Sequence, residues 1–258
     1  MHNKPIKIVF AGTPEFASPL LKALLKDGRF EVAMVVTQPD KPVGRKGILT
    51  PPPVKTLAIT NGILVEQPEK IATIEGKLRQ ISPDLLIVVA YGQILPESIL
   101  NIPTLGAINV HASLLPSYRG ASPIQEAILR GDKKTGITLQ LMNKFLDQGD
   151  IIEQMEVTIS DSDSYLLLAK KLSKLTASKL PDVLVRFAAG KITPVPQNNG
   201  KATYCRKISK EDGLLDFQEE TAEFMVRKVR AYNPWPGCFT FLNNKRVKIN
   251  SASYRKQV

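Results

Sequence analysis

Two side chains able to stabilise a developing negative charge lie two positions apart near the middle of this sequence. The segment 107–111, AINVH, combines apolar residues typical of a buried strand with the carboxamide of Asn109 and the imidazole of His111. Side chains alternate along a strand, so both groups should point to one side, about 6–7 Å apart. An amide and an imidazole at a strand end in an open α/β sheet suit a polar site. An amide that caps the strand and an ordinary hydrogen-bonded histidine explain the pattern equally well.

Two aspartates in a later turn are the candidate carboxylates. Asp147 and Asp150 lie in the segment FLDQGD, between a predicted strand over 135–142 and the strand that follows the turn. From the sequence alone, each is more typical of a turn than of a catalytic residue.

Hydrophobic periodicity predicts an α/β protein with a mostly parallel sheet. The chain opens with a strand over 6–11, a helix over 14–26 capped by Thr13 and a strand over 30–36. The unbroken apolar run 84–90 predicts a central strand buried on both faces. Further helices are predicted over 54–59, 71–81, 123–130, 161–187 and 221–231, and further strands over 63–65, 238–242 and 246–249. The helix over 123–130 has a capping-box pattern that begins at Ser122.

Glycine spacing excludes the common nucleotide-binding motifs. No two glycines lie two residues apart, so the GxGxxG motif is absent. Gly131 and Gly136 have P-loop spacing, but Ile137 stands where the lysine of that motif is required. Neither nicotinamide chemistry nor ATP hydrolysis is expected.

A long proline-rich connection over 37–54 carries Lys41, Arg45 and Lys46. Loops of this length are uncommon in compact domains unless they cover or bind a ligand, and a flexible basic loop suits phosphate contacts. A solvated surface loop explains the same composition equally well.

The charge of the chain indicates a polyanionic partner. Its 258 residues contain 35 Lys and Arg against 24 Asp and Glu, which gives a net charge of +11. The segment after residue 200 holds twelve basic and six acidic residues, so it contributes more than half of the excess. A basic segment appended to a catalytic one is typical of nucleic-acid binding. A generically basic soluble protein is the alternative.

Composition also predicts the environment of the protein. With 43% hydrophobic and 23% charged residues, the chain is typical of soluble globular proteins, and no apolar run suits a membrane span or a signal peptide. Cys205 and Cys238 lack CxxC spacing, which favours a reducing cytoplasm. With two histidines and no cysteine cluster, no metal site is expected.

The motifs of this sequence resemble a known family. AINVHASLLPSYRGASPIQ, followed by LDQGDII, is similar to the 10-formyltetrahydrofolate-dependent formyltransferases. FAGTPEFA near the start, TQPDKPVGRKG in the basic loop, KISKEDG at 207–213 and NPWPG at 233–237 resemble the branch of that family that acts on methionyl-tRNA. These motifs are spread over nearly the whole chain.

The resemblance implies an enzyme with two domains. A Rossmann-like formyltransferase domain is expected over 1–190, a linker over 191–204 and a smaller, β-rich, OB-like domain over 205–258. The family's C-terminal domain continues past the point that matches Val258, so an incomplete barrel is expected. The implied reaction transfers the formyl group of 10-formyltetrahydrofolate to the amino group of initiator methionyl-tRNA, for translation initiation, without a metal. We expect a cytoplasmic monomer with no membrane partner.

The resemblance also assigns the site residues. Asn109 and His111 are the implied donors to the formyl oxygen, and Asp147 is the implied carboxylate that orients His111 and takes up the amine proton through water. The implied folate-binding residues are Ser113, Leu114, Leu115 and Pro116, together with Tyr91, Gly92, Gln93, Ile94 and Leu95 beside the pteridine. The implied tRNA-binding residues are Lys41, Arg45, Lys46, Arg206 and Lys207.

Two alternatives to this reaction stay open. A formyltransferase for a small amine, such as glycinamide ribonucleotide or an amino-sugar nucleotide, needs no basic second domain. A catalytically silent RNA-binding module leaves Asn109, His111 and Asp147 without a role.

Overall fold

The computed structural model of the chain describes residues 4–44 and 46–255. The helices within these ranges are α1 Ser18–Lys26, α2 Pro53–Thr60, α3 Glu75–Ile81, α4 Glu97–Leu100, α5 Pro123–Arg130, α6 Tyr165–Ala188 and α7 Ala222–Tyr232. The strands are β1 Ile6–Gly12, β2 Phe30–Val36, β3 Lys41–Val43, β4 Ile48–Thr50, β5 Val65–Glu66, β6 Leu85–Val89, β7 Ala107–His111, β8 Arg119–Gly120, β9 Lys134–Leu141, β10 Asp150–Thr158, β11 Tyr204–Cys205, β12 Cys238–Leu242 and β13 Lys245–Ile249. In the described part of the chain, no helix is both long enough and apolar enough to cross a membrane.

The largest sheet in the described residues has seven strands in the order β10-β9-β7-β6-β1-β2-β5. β1 pairs in parallel with β2 and with β6, β6 pairs in parallel with β7, and β2 pairs in parallel with β5. β9 runs antiparallel to β7. The predicted mostly parallel sheet is confirmed, and its antiparallel end places β9 beside the strand that carries Asn109 and His111.

The central strands are buried on both faces. Every residue of β6 is buried, and Ile8, Val9 and Phe10 of β1 are fully buried although successive side chains point in opposite directions. A strand in this position needs the continuous apolar run that the sequence contains. These strands form a rigid base for the loops that follow them.

The chain divides into two compact units, and each unit is built from three segments. The first comprises Met1–His111, Ile137–Met155 and Ser173–Gln197, and the second comprises Ala112–Gly136, Glu156–Leu172 and Asn198–Val258. The domain boundaries predicted from the sequence, 1–190, 191–204 and 205–258, stay a prediction.

The second unit contains the small C-terminal β element. β12 pairs antiparallel with β13, and β8 pairs in parallel with β11. Before the β12–β13 hairpin lies α7, which Thr221 caps by accepting a hydrogen bond from the N–H of Phe224. The predicted smaller β-rich C-terminal part is confirmed, and a full OB-like barrel stays a prediction.

The predicted start of the first helix is wrong. α1 follows a 3-10 turn over Glu15–Ala17 and does not start at Pro14 with Thr13 as its cap. The Thr13 hydroxyl instead donates to the carbonyl oxygen of Tyr91 at 2.9 Å and accepts from the N–H of Gln38 at 3.3 Å. The hydroxyl that would have capped the helix therefore joins two loops that lie far apart in sequence.

The start of α6 and the predicted cap of α5 also differ from the sequence-based expectation. α6 begins at Tyr165, four residues late, because Asp163 accepts from the N–H of Ser160 and from Lys171 Nζ and so forms a turn there. Ser122 occupies the N-cap position of α5 as predicted, but its side chain makes no capping hydrogen bond. For Ser122, the position before α5 was predictable from the sequence, and the role of the side chain was not.

The long connection after β2 contains a hairpin that the sequence analysis does not predict. β3 and β4 pair antiparallel from Lys41 opposite Thr50 to Val43 opposite Ile48. Every described residue of both strands is exposed, and Val43, Ile48 and Leu49 expose more than half of their surface. The basic connection is thus a hairpin with an ordered pairing register.

Candidate active site

Asn109 and His111 of β7 meet on one oxygen atom of Asp147. Asn109 Nδ2 donates to Asp147 Oδ1 at 3.3 Å, and His111 Nδ1 lies 3.5 Å from the same oxygen. The two strand residues share a face, as their spacing predicted. Asp150, the other candidate carboxylate, is the first residue of β10. The structure therefore brings Asn109, His111 and Asp147 together.

This contact is shielded from water. The side chains of His111 and Asp147 are only 6% and 9% exposed. Burying a carboxylate is unfavourable unless hydrogen-bond donors surround it, and charge interactions are stronger there than at the surface. Across residues 4–44 and 46–255, no three His, Cys, Asp or Glu side chains are grouped so that they could hold a metal ion.

The turn that carries Asp147 lies very close to β9. Asp147 has a left-handed backbone conformation, with φ of 52°, which aspartate adopts more readily than most residues. A Cβ atom on Gly149 would lie 1.8 Å from the carbonyl oxygen of Leu141. Only glycine permits this approach, so the D-Q-G order fits the backbone of the turn.

Two glutamines also hold this turn. Gln140 Nε2 donates to Asp147 Oδ1 at 3.1 Å. Gln197 Nε2 donates to the carbonyl oxygens of Asp147 at 2.9 Å and Gly149 at 2.8 Å. The carboxylate and the backbone behind it are therefore both held by side-chain amides.

Neither glutamine is among the residues predicted from the sequence. Thr138 and Gln140 form a polar pair with period two between the apolar residues Ile137, Leu139 and Leu141 of β9, and they lie opposite His111 and Asn109 in the β7–β9 register. The same period-two spacing distinguishes Asn109 and His111 in β7, so the sequence does contain a signal for Gln140. Gln197 lies in the predicted linker, where no pattern distinguishes it.

Three members of the predicted folate-binding segment 91–95 are parts of the scaffold. Tyr91 and Leu95 pack in the hydrophobic core, and burial raises the pKa of Tyr91 to about 12. Gln93 accepts from the N–H of Ile71 at 2.8 Å and donates to the carbonyl oxygen of Pro68 at 3.0 Å. Their side chains fix the path of the segment.

The other two members of the segment are exposed. Gly92 has a φ of 91°, and a Cβ atom added there would meet nothing nearer than Gln38, at 3.8 Å. Ile94 is 90% exposed. An open backbone and an exposed apolar side chain beyond the end of β6 leave room for a flat heterocycle.

The predicted folate-binding residues 113–116 belong to the second unit. Ser113 is fully buried, and its Oγ donates to the carbonyl oxygen of Ser117 at 2.5 Å. Leu115 is also buried, whereas Leu114 and Pro116 are half-buried. Ser113 and Leu115 shape the loop from inside, and the other two residues keep surface for contacts.

The predicted tRNA-binding residues of the first unit are in the hairpin of β3 and β4. Lys41 is the first residue of β3 and is exposed, and Lys46 is exposed in the turn between the strands. Arg45 lies outside the described residues.

Arg206, in the second unit, is paired within the chain. Its Nη1 donates to Asp212 Oδ2 at 2.8 Å, and its Nη2 donates to Oδ1. The N–H of Ser209 donates to the same carboxylate at 2.6 Å. Hydrogen bonding, chiefly from Arg206, lowers the pKa of Asp212 to about 2. Lys207, beside this pair, is exposed.

Comparison with known families gives matches to both parts of the chain. Residues 6–184 match the family described as Formyl transferase, and residues 207–258 match Formyl transferase, C-terminal domain. Methionyl-tRNA formyltransferase of Bacillus subtilis (strain 168) is 48% identical over 245 residues, which cover 94% of this chain and 77% of that protein. Methionyl-tRNA formyltransferase of Marinobacter nauticus (strain ATCC 700491 / DSM 11845 / VT8) is 45% identical over 254 residues, which cover 98% of this chain and 81% of that protein.

Solved structures share the fold. A sugar N-formyltransferase from Shewanella sp FDAARGOS_354 has a TM-score of 0.73 and 19% identity, with 97% of this chain and 99% of that chain covered. An N-formyltransferase from Helicobacter canadensis, in complex with folinic acid and dTDP-3-aminofucose, has a TM-score of 0.72 and 20% identity, with 94% and 87% covered. At these identities the likeness shows the fold alone.

The contact between Asp212 and Arg206 predicts a pH-dependent difference in stability. Because the pKa of Asp212 is lowered by folding, the contact stabilises the folded chain above about pH 4 and is lost as the pH falls through about 2. We expect Asp212→Asn to lower the unfolding temperature at about pH 6, with the difference vanishing towards about pH 2. Thermal unfolding across that range measures it, with the exposed Asp161→Asn as the matched control. A difference that stays constant with pH contradicts the prediction.

Proposed function

Since the chain belongs to the formyl transferase family, in its methionyl-tRNA formyltransferase branch, we propose that it transfers the formyl group of 10-formyltetrahydrofolate to the amino group of initiator methionyl-tRNA. The product, N-formylmethionyl-tRNA, serves translation initiation. The observation that carries this proposal is the identity of almost half of the residues with methionyl-tRNA formyltransferases across nearly the whole chain. A cytoplasmic location and a monomeric state stay predictions.

The proposed reaction forms one carbon–nitrogen bond and breaks another. The amino nitrogen of methionine bonds to the formyl carbon, and the bond from that carbon to N10 of the cosubstrate breaks. The amine loses a proton and N10 gains one. Negative charge develops on the formyl oxygen between these events, so preorganised donors at that oxygen accelerate the reaction.

Asn109 and His111 are the proposed donors to that oxygen. One N–H of the Asn109 amide is directed at Asp147, and we assign the second to the formyl oxygen. His111 Nδ1 faces Asp147, so we assign Nε2 as the second donor, in the charged imidazolium form. His111 is buried and Asn109 is half-buried on the same strand, and the burial of His111 supports its role, because a donor fixed away from water needs no reorganisation during the reaction.

Asp147 is the proposed orienting carboxylate and proton acceptor. Its contact with Nδ1 sets the direction of the His111 ring and stabilises positive charge on it. The same carboxylate can take up the proton of the attacking amine through one water molecule. The distance of 3.5 Å is compatible with this role, because catalytic hydrogen bonds are often long before substrate binds.

We propose folate-binding roles separately for the segments 91–95 and 113–116. We assign the backbone at Gly92 and the side chain of Ile94 to the pteridine, supported by their exposure beyond the end of β6. Tyr91, Gln93 and Leu95 would keep that segment in place. For residues 113–116, the family resemblance supports a lining role, in which Leu114 and Pro116 have surface available and Ser113 and Leu115 define the loop.

The tRNA-binding assignments rest on charge. Lys41, Lys46 and Lys207 are exposed and suit contacts with phosphates. Arg206 would contact a phosphate either while it stays hydrogen-bonded to Asp212 or after that contact breaks. Arg45, which the family resemblance places in the same loop, is retained as a proposal.

The acceptor decides between the proposed reaction and its alternative. We expect incubation with 10-formyltetrahydrofolate to add one formyl group to methionyl-tRNA and none to glycinamide ribonucleotide or an amino-sugar nucleotide. Mass analysis of each acceptor measures the transfer, and methionyl-tRNA with an acetylated amino group is the control. Formylation of a small amine without formylation of methionyl-tRNA would establish the alternative.

The roles of His111 and Asp147 predict a defect in rate and not in binding. Each of His111→Ala and Asp147→Asn should lower the single-turnover rate by about 10²–10³-fold, because a preorganised partner of the developing charge is lost. Rapid-quench assays measure the rate, and filter binding should show nearly unchanged tRNA affinity. Asp182→Asn, an exposed aspartate paired with Arg29, is the matched control. Near-normal single-turnover transfer by either active-site variant would remove its residue from the mechanism.

The hairpin lysines predict a salt dependence. If Lys41 and Lys46 contact phosphates, the logarithm of tRNA affinity should fall with the logarithm of salt concentration by about 0.7–0.9 per neutralised phosphate. Replacing both by Ala should weaken binding and make the slope shallower. Affinity measured over a salt series tests this, with Lys26→Ala at the end of α1 as the control. An unchanged slope in the double variant counts against the hairpin as a tRNA contact.

A further inference from the structure

We infer that Gln140 is a positioning residue whose amide holds the Asp147 carboxylate in the orientation that His111 needs. Its Nε2 donates to Asp147 Oδ1, the same oxygen that faces His111 Nδ1. The consequence for catalysis rests on the proposed function. The hydrogen-bond arrangement itself does not.

The direction of the Gln140 amide is fixed by the backbone. Its Oε1 accepts from the N–H of Gly149 at 3.1 Å. A backbone N–H can only donate, so the oxygen of the amide must face Gly149 and the NH₂ group must face Asp147. A flipped amide would oppose its oxygen to the carboxylate and lose both hydrogen bonds. Gln140 therefore acts as a donor to Asp147.

Gln197 supports the same arrangement from the backbone side. Its Nε2 donates to the carbonyl oxygens of Asp147 and Gly149 and lies 3.4 Å from Gln140 Oε1. Carbonyl oxygens can only accept, so the donor end of this amide is also defined. The two amides together fix the backbone and the side chain of the turn.

Gln140 is suited to positioning because it comes from the sheet. It is 2% exposed on β9 and lies opposite Asn109 in the register. The turn before Asp147, by contrast, exposes Phe145 and Leu146 by 55% and 64%. Groups held on rigid elements keep a reactive geometry better than loops do, and a displacement of about 1 Å can lower a rate about 10²-fold.

One substitution of Gln140 distinguishes two roles of its amide, which are positioning the Asp147 carboxylate and holding the backbone of the turn. Gln140→Glu keeps an oxygen for the N–H of Gly149, but it replaces the donor to Asp147 with a second carboxylate oxygen. Gln154→Glu is the matched control, because the Gln154 amide donates to Thr138 Oγ1 at 2.9 Å. This variant therefore adds the same carboxylate at a residue that is hydrogen-bonded to a hydroxyl.

Steady-state kinetics give the first test. We expect Gln140→Glu to lower kcat about 10²-fold, with KM for methionyl-tRNA and for 10-formyltetrahydrofolate changed by less than about twofold. Gln154→Glu should keep the kcat of the unsubstituted protein. If Gln140→Glu does not fold, Gln140→Met removes the same donor at similar size, and its thermal unfolding reports folding. A kcat within about twofold of normal in a folded Gln140 variant overturns the inference.

Nuclear magnetic resonance of the His111 ring gives a test that needs no turnover. The sequence contains two histidines, His2 and His111, so a His2→Asn variant assigns the ring signals. We expect Gln140→Glu to move the His111 ring nitrogen resonances and Gln154→Glu to leave them in place. Unmoved His111 signals overturn the inference. If the unsubstituted protein does not formylate methionyl-tRNA, the proposed function fails, and the ring signals still decide the role of Gln140.

Discussion

The buried carboxylate of Asp147 is the interaction on which the rest of the site depends. An ion removed from water is tolerated only where donors replace the water, and here they come from Asn109 and His111 on β7 and from Gln140 on β9. These strands are adjacent and antiparallel, and Asn109 lies directly opposite Gln140. A slip of one residue in that register would turn the donors to the other face of the sheet. The pairing register of β7 and β9 is therefore also what places the donors around the Asp147 carboxylate.

The site also requires the backbone of the Asp147 turn to pass very close to β9. Gly149 passes so near to Leu141 that a side chain on it would overlap the carbonyl oxygen, and this proximity lets the Gly149 N–H reach Gln140. Gln197 closes the arrangement by binding two carbonyl oxygens of the turn. The exposed segment before Asp147 is thus anchored by hydrogen bonds at its buried end. An exposed loop with a fixed carboxylate therefore depends on one glycine and two amides.

The sequence predicted those features whose causes are local in the chain. The central strands follow from continuous apolar runs, and Asn109 and His111 follow from period-two alternation, because both patterns depend only on burial of a strand. Asp147 needed the family resemblance, since turn aspartates are common. Thr13 and Ser122 had the correct residue types for helix caps, but neither side chain caps its helix. The Thr13 hydroxyl bonds to residues that the sequence does not place nearby, which is why such roles escape local reasoning.

The net charge of +11 predicts attraction to a polyanion at long range, but contact depends on how each cation is already engaged. Arg206 is bound to Asp212, and Lys228 is bound to Glu220 and to a backbone carbonyl, so these cations serve the fold. A phosphate would have to compete with a carboxylate that folding keeps ionised. Lys41 and Lys46 are exposed in a hairpin that also exposes apolar side chains. The lysines of this hairpin are therefore available for contacts with phosphates, whereas Arg206 and Lys228 are already engaged within the chain.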